Sequence, residues 1–361
     1  MKYALGENQF KSNFMINHPR KVTLELTRDC PLNCLICSSN GGSPHPKELS
    51  LQKWIDVVDE SLNLGTKSFM ISGGEPFAFS YFKELCQYIS NKNISLSIYT
   101  SGNIRRGDEI LPLNNDELDL LSNLGSVKLV FNLQGSNSKI HDLMTCVKGS
   151  FVNILSSIKL AVDYDLKIEV HFVPTSINYK KLPEIVSLCK DIGVKKVSVL
   201  RFVPQGRGKI NEKILKLGSS EIMHLRNILV NLTESDNYVR VGSPFNPFLL
   251  SKQHKCTAGC TRMTIRYDGF VFPCEALKFV SENFNDNNVR RYSMKEIWEN
   301  SQIFQLARNF QNLINKSECL SCTFFNKCRG GCPVQRLLTG TLEHVDPYCL
   351  AIIQTALTQI I

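Results

Sequence analysis

The sequence predicts an α/β protein with a parallel sheet, followed by a small cysteine-rich segment. From Lys21 to about Arg201, short β-rich runs alternate with amphipathic helical runs, the pattern of strands joined by helical crossovers. Beyond Arg201 the alternation stops, and eight of the 14 cysteines crowd between Cys256 and Cys349. The motif-bearing segments also recur just after strands: Cys30 after the first, Gly73-Gly74-Glu75-Pro76 after the second, Thr100-Ser101-Gly102-Asn103 after the third. In α/β sheets those strand ends build the active site.

The first strand is expected over 22–26. Ser50 then caps a helix to about residue 62, with Trp54, Ile55, Val58 and Leu62 on one face. A strand over 69–71 ends at the glycine pair, and a helix near 82–89 leads to a strand over 94–99. Helices over 116–124, 151–162 and 182–192 each precede a strand, over 127–133, 168–173 and 196–202. Six strands with crossovers of ordinary length imply a parallel sheet with helices on its outer face. The pattern alone is equally compatible with an open sheet and a closed or partial barrel. Further on, Pro204-Gln205-Gly206-Arg207-Gly208 reads as a loop, 219–232 as a helix and Gly242 to Pro247 as a linker. This places a boundary near residue 245: an N-terminal extension over 1–21, a core over 22–210, a connecting helix and linker over 211–245, and a cysteine-rich domain over 246–361.

Hydrophobic residues at 43% and charged residues at 21% are ordinary values for a soluble globular chain with a sizeable core. Met1 to Arg20 is polar and lacks the apolar core of a signal peptide. The longest apolar stretch, 350–361, is interrupted by Gln354, Thr355, Thr358 and Gln359 and is too short to span a bilayer. A cytoplasmic protein without a membrane partner is expected. The net charge of +9 suits an anionic substrate or simply a solvated basic surface. No basic run interleaved with aromatics points to nucleic acid.

In a reducing compartment, clustered cysteines are metal ligands or catalytic thiols more often than disulfides. Cys30-x3-Cys34-x2-Cys37 offers three thiolates to a four-iron cubane, leaving one iron open. Zinc with a distant fourth ligand, or three structural thiols, are the alternatives. Followed by Ser72-Gly73-Gly74-Glu75-Pro76, the cysteine triplet resembles the radical S-adenosylmethionine (SAM) superfamily. That resemblance implies a partial (β/α)6 TIM-like barrel whose open iron is chelated by SAM. Electron transfer from the reduced 4Fe–4S cluster cleaves SAM to methionine and a 5′-deoxyadenosyl radical, which abstracts a substrate hydrogen.

Residue by residue, the resemblance implies that Gly73, Gly74 and Glu75 receive the methionine amino group, with glycine permitting close backbone approach. Ile36 packs on the adenine, where the family more often has an aromatic. Ser101 and Asn103 line the pocket. Phe131-Asn132-Leu133-Gln134-Gly135 departs from a Ser-Leu-Asp-Gly pattern; Asn132 can still reach SAM, whereas Gln134 is no acid or base. His141-Asp142 matches a His-Asp-x-x-Arg segment with Thr145 in the Arg position. The contact to the SAM carboxylate therefore falls to Arg201 or Lys148, and His141 reads as a structural hydrogen-bonding residue.

The C-terminal spacings, Cys256-x3-Cys260-x13-Cys274 and Cys319-x2-Cys322-x5-Cys328-x3-Cys332-x16-Cys349, resemble the SPASM domain, which carries two auxiliary 4Fe–4S clusters. The resemblance assigns Cys256, Cys260, Cys274 and Cys332 to one cluster and Cys319, Cys322, Cys328 and Cys349 to the other. Zinc-ribbon use of Cys319, Cys322, Cys328 and Cys332 is the alternative. A final helix over 350–357 is expected to pack on this segment. Glu275 is the candidate base for a substrate proton, with a surface carboxylate as the bland reading. Cys146 is a candidate hydrogen-atom donor, while Cys86 and Cys189 read as helix-face thiols.

The reaction expected is hydrogen abstraction leading to crosslinking, oxidation or epimerisation of a ribosomally made peptide. Oxidation of a small molecule (a sugar, an aminoglycoside or a tetrapyrrole) is the alternative enzyme, and a cluster-binding scaffold the alternative non-enzyme. Only about twenty residues precede the first strand, so a leader-peptide-binding domain is expected as a separate protein. The electron donor would be a flavodoxin or ferredoxin. Arg201, Arg207, Lys209, Lys213 and Lys216 cluster after the sixth strand and, at a pocket mouth, would suit an acidic substrate.

Overall fold

Side chains alternate along β1 (Lys21–Glu25), so Val22 and Leu24 enter the hydrophobic core while Lys21, Thr23 and Glu25 face the other way. The same period recurs in β2 (Ser68–Ser72) and β3 (Ser95–Thr100). In this computed structural model, residues 18–234, 237–250, 256–279, 284–314, 318–339 and 344–353 are described. After β3 comes a small hairpin, β4 (Ile104–Arg106) and β5 (Glu109–Leu111). The main sheet continues with β6 (Val127–Asn132), β7 (Lys167–Phe172) and β8 (Lys196–Val199). These strands occupy the six expected positions.

Three further strands join them: β9 (Val239–Val241), β10 (Arg262–Ile265) and β11 (Val271–Phe272). The sheet order is β11-β10-β1-β2-β3-β6-β7-β8-β9, and only β10–β11 is antiparallel. β9 lies in the segment expected to hold a helix and linker, and its three residues are too few to show a period. β10 pairs with β1 in parallel, so the cysteine-rich segment extends the main sheet.

The crossovers are helices α1 (Leu51–Asn63), α2 (Phe82–Ser90), α3 (Asn115–Ser122), α4 (Ser138–Thr145), α5 (Ser150–Asp163) and α6 (Leu182–Asp191). Ser50 caps α1 by accepting from the Lys53 amide at 3.3 Å. Trp54, Phe69, Phe131 and Phe172, all fully buried, fill the layer between helices and sheet. α4 was not expected, although Asn137 caps it and Ile140 and Met144 repeat at helical spacing. The expected loop at 204–208 leads into short helical turns at Arg207–Ile210 and Glu212–Leu215. The helix expected over 219–232 is Ser219–Glu234. A helical turn begins at Leu350, with Leu350 and Ile353 buried; residues 354–357 of the expected last helix lie outside the described residues. Among the described residues no helix is long and apolar enough to cross a membrane.

Candidate active site

The chain leaves β1 into a loop closed on itself: the Cys30 amide donates to Gly42 O and the Gly42 amide to Arg28 O, both at 2.8 Å. The Cys37 amide donates to Cys34 O at 3.2 Å, and the Gly41 amide to Cys37 Sγ at 3.3 Å. Neighbouring elements hold the loop from below. Asn33 and Leu35 amides donate to Thr145 O and Met144 O at the end of α4, and Arg207 Nε donates to Cys34 O at 3.1 Å. Arg207 therefore turns inward onto the cysteine loop, and Arg201 is buried as well, so those two members of the expected basic rim do not form one.

Burial raises the Cys30 thiol well above its usual range, and Cys34 and Glu75 add to the effect. Cys34 is pushed up to about 12 by burial and by Cys37, against Arg207. Thiols gathered this way ionise readily only when a cationic centre joins them, which is what cluster iron supplies. Among the described residues no three Cys, His, Asp or Glu side chains converge on a single-ion position. A cubane makes no such demand, because each thiolate binds a different iron. The donor set therefore fits an iron–sulfur cluster.

The glycine pair has a task within the fold itself. Gly73 has φ +139°, and a Cβ there would sit 2.5 Å from Thr27 O; a Cβ on Gly74 would overlap the Asp29 carbonyl. The Gly74 and Glu75 amides donate to Thr27 O and Asp29 O at 2.7 Å. Glycine is thus required for the close approach of this turn to the cysteine loop itself. Glu75 is 1% exposed. Its carboxylate accepts from Thr100 Oγ1 at 2.7 Å, the Ser101 amide at 2.8 Å and Ser101 Oγ at 2.6 Å. None of these donors carries a charge, and burial pushes Glu75 up to about 7 despite them. A buried carboxylate served only by neutral donors fits the α-ammonium of an amino acid.

Ser101 therefore reaches the site through Glu75. Asn103 is fully buried and braces the turn, donating to Ser101 O at 2.9 Å and Ser150 O at 3.3 Å. Asn132 ends β6 and accepts from Gln134 Nε2 at 2.6 Å. Gln134, fully buried, also accepts from the Val173 amide and so ties β6 to β7. Ile36 packs against the small Met144, Phe202 and Leu215 cluster. His141 Nδ1 accepts from the Gln134 amide at 3.2 Å, and burial drops its pKa to about 4, so the ring is neutral. Asp142 binds the Gly149 and Phe151 amides at the start of α5, and Thr145 bonds Ser150. The His141-Asp142 segment is structural.

Arg201 is held from the C-terminal segment. Its guanidinium is paired with Asp346, Nη1 to Oδ2 at 2.9 Å and Nη2 to Oδ1 at 2.7 Å, and it lies 3.8 Å over the Tyr348 ring. Both side chains are 2% exposed. Nη1 also donates to Pro244 O at 3.0 Å, so Arg201 is a buried joint to the C-terminal segment, while its Nε and Nη2 make no hydrogen bond.

The C-terminal thiols influence one another in two groups. Burial raises Cys274, with Glu275, Cys256 and Cys332 adding to it. Burial pushes Cys332 up to about 12, opposed by Arg201 and helped by Asp346 and Cys256; it also raises Cys260, beside Cys256. Cys328 is raised by burial and then by Cys349, Cys319 and Cys322. Glu275 accepts from Thr23 Oγ1 at 2.9 Å and faces Arg262 at 3.8 Å, with 41% of its side chain exposed. Burial pushes its carboxyl up, but Arg262, a backbone amide and Thr23 outweigh this and hold it below its usual value. Cys146 is exposed in a left-handed conformation at the end of α4, its thiol directed at Leu143 O. Cys86 and Cys189 are fully buried in the core. Sequence reasoning missed Asp346 and Lys278 and set Arg207 at a pocket mouth instead of on the cysteine loop; each acts through a partner distant in the chain.

Residues 24–199 match the radical SAM superfamily and residues 256–323 the iron–sulfur cluster-binding SPASM domain, together about two thirds of the chain. The AdoMet-dependent heme synthase of Methanosarcina barkeri is 25% identical, covering 93% of this chain and 97% of that protein. The mycofactocin maturase MftC of Mycolicibacterium smegmatis is 29% identical, covering 93% and 83%. The same fold occurs in Streptococcus suis SuiB bound to its precursor peptide SuiA, with TM-score 0.72, 20% identity and coverage of 92% and 76%. It also occurs in anSMEcpe with bound AdoMet and a peptide, with TM-score 0.70, 19% identity and coverage of 95% and 98%. The chain is an enzyme that binds SAM and iron–sulfur clusters; it belongs to the radical SAM superfamily and carries a SPASM domain.

Proposed function

We propose that this enzyme modifies a ribosomally made peptide by hydrogen abstraction, using three 4Fe–4S clusters. Cys30, Cys34 and Cys37 hold the catalytic cluster. Cys256, Cys260, Cys274 and Cys332 hold one auxiliary cluster, and Cys319, Cys322, Cys328 and Cys349 the other. The observation that carries the cluster reading is the match of residues 24–199 to the radical SAM superfamily and of residues 256–323 to an iron–sulfur cluster-binding domain. When bound and given an electron, SAM supplies a 5′-deoxyadenosyl radical that takes a hydrogen atom from the substrate. The protein's part is to seat the methionine amino group on Glu75, with Ser101 and Asn103 bracing the turn, while Ile36 and Asn132 flank the nucleoside. Glu275, ionised beside Arg262, takes the substrate proton, and Cys146 is the candidate hydrogen donor where a centre is inverted.

The functional division follows the chain: core over 22–210, connection over 211–245, cluster-bearing domain over 246–361. A flavodoxin or ferredoxin supplies electrons, and a separate protein presents the leader. The peptide reading is supported by the mycofactocin maturase and by SuiB with its precursor peptide. The match to the heme synthase over 97% of its length favours a second reading, a tetrapyrrole substrate. Anaerobic reconstitution should give about twelve iron and twelve sulfide per chain. SAM cleavage under dithionite should disappear in Cys34→Ala while the fold persists. Four iron with bound zinc would limit cluster chemistry to the core. Precursor peptides and carboxylated tetrapyrroles, offered separately, are told apart by which one raises 5′-deoxyadenosine yield.

A further inference from the structure

The two faces of the main sheet differ in chemistry. Toward the helices the strands present Val22, Phe69, Leu129, Val170 and their like. The opposite face carries charge: Lys21 on β1, Lys128 on β6, Glu169 on β7, Arg240 on β9 and Arg262 on β10. Lys128 Nζ and Arg240 Nη2 both reach the Glu169 carboxylate, at 2.7 and 3.0 Å, and Arg262 stands 3.8 Å from Glu275. Four cations therefore meet two carboxylates. Among the described residues Lys21 has no carboxylate within ion-pair distance. Burial, then the repulsion of Arg262, Arg240 and Lys128, holds the Lys21 ammonium below its usual pKa against the pull of Glu169. The face is open: Lys128, Arg240 and Arg262 keep 36%, 55% and 35% of their side-chain surface exposed.

We infer that this inner face is an anion-binding subsite, in which Lys21 and its cationic neighbours hold a carboxylate of the substrate. The inference rests on the proposed function, whose base Glu275 meets Thr23 and Arg262 on this face, and adds the chemical class. Lys21 and Arg262 are register partners at the first residues of β1 and β10, whereas Glu75 and the cysteine loop lie beyond the far strand ends. The four residue-to-residue steps of β1, from Lys21 to Glu25, measure about 13 Å. The subsite thus runs from Arg262, 3.8 Å from the proposed base Glu275, to Lys21, on the order of 10 Å from the cysteine loop. It suits an acidic side chain in an extended peptide or a carboxyl on the rim of a macrocycle. Between the two ends Tyr99 and His171 meet edge to face, with ring centroids 5.2 Å apart, and offer a partly apolar wall to the body of the substrate.

The test uses reconstituted full-length protein with SAM bound. Binding of fluorescein-labelled hexaglutamate and of coproporphyrin is compared with hexaglutamine and the porphyrin methyl ester, in wild type and in the double variant Lys21→Gln/Arg240→Gln. Both replaced side chains are exposed, and Lys21→Arg/Arg240→Lys, which keeps the charges, controls for shape. At least one carboxylate probe should outbind its neutral counterpart, and the Gln variant should bind it about tenfold more weakly, with binding retained in the charge-conserving variant. Preference for the peptide or for the porphyrin supports the subsite and names the source of its carboxylate. Equal binding of charged and neutral probes, or no loss in the Gln variant, overturns the subsite. SAM affinity is read on the same wild-type samples: failure there contradicts the functional reading, whereas SAM binding without carboxylate binding overturns the subsite alone.

Discussion

Replacing Glu75 by glutamine should make the SAM-free protein more stable at pH 8 while removing most of its affinity for SAM. Burial lifts this carboxyl from 4.5 to about 7. A shift of about 2.5 units at 1.36 kcal/mol each is a penalty of about 3 kcal/mol on the ionised form. The folded state keeps its proton to higher pH than the unfolded chain does. Stability is therefore full below about pH 4.5 and declines as pH rises toward 7. Glutamine has the same shape and never ionises. Its carbonyl can still accept from Ser101, while its amide meets Thr100 Oγ1, a hydroxyl able to turn and accept. Allowing about 1 kcal/mol for the rearranged hydrogen bonds leaves a gain of about 2 kcal/mol at pH 8 and none near pH 5. The ammonium of SAM loses its carboxylate, which should weaken binding by about a hundredfold. Urea denaturation at the two pH values and equilibrium dialysis with SAM give both quantities. A variant less stable than wild type at pH 8, or one binding SAM within twofold of wild type, would refute the reasoning.

Wild-type SAM affinity should rise with pH through about 7 as Glu75 ionises, approaching tenfold per unit on the acid side; titration calorimetry showing a flat profile from pH 6 to 8 contradicts this. Gly74→Ala drives a methyl group into the Asp29 carbonyl and should reduce iron retained at the Cys30 loop, measured as iron per chain in a variant also carrying Ala at the eight C-terminal cysteines. Asp346→Asn strips the charge opposite Arg201 at a site 2% exposed and should lower stability by about 3–5 kcal/mol in chemical denaturation; a loss below about 1 kcal/mol would show the pair to be solvated.

Local signals were readable because their cause is local. Ser50 announced α1 through the cap it forms, and the two-residue period of Val22 and Leu24 announced β1. The triplet Cys30, Cys34 and Cys37 was legible for the same reason, since one turn of loop brings the thiols together. α4 carried a readable signal, an Asn cap before apolar residues at helical spacing, that was passed over. What stayed hidden depends on tertiary closure. Arg201 and Asp346 are 145 residues apart, and nothing near Arg201 marks it as half of a buried pair. Glu75 was legible as a site residue, but its neutral donors come from the end of the next strand. The packing role of Gly73 and Gly74 was hidden for a similar reason: the backbone they approach belongs to the cysteine loop, more than forty residues earlier.

The same closure bears on how the two cysteine regions are held in register. Lys278, four residues past Cys274, is 2% exposed and lies 2.5 Å from Glu25, at the end of β1, and 2.6 Å from Ser39, just past Cys37. One ammonium thus bridges the loop of the catalytic cysteines and the loop of the C-terminal ones. A buried ion pair contributes little net stability, because desolvation of both charges offsets their attraction. Its contribution is directional. An apolar contact between these loops would tolerate sliding, whereas the ammonium is satisfied only where Glu25 and Ser39 meet. β10 reinforces the constraint by pairing with β1 upstream of both loops, so its register against Lys21 through Leu24 fixes where the Cys274 turn emerges. Under the proposed function an electron passes between clusters after hydrogen abstraction, a step that depends steeply on separation, so these contacts would bear on that step as well as on the fold.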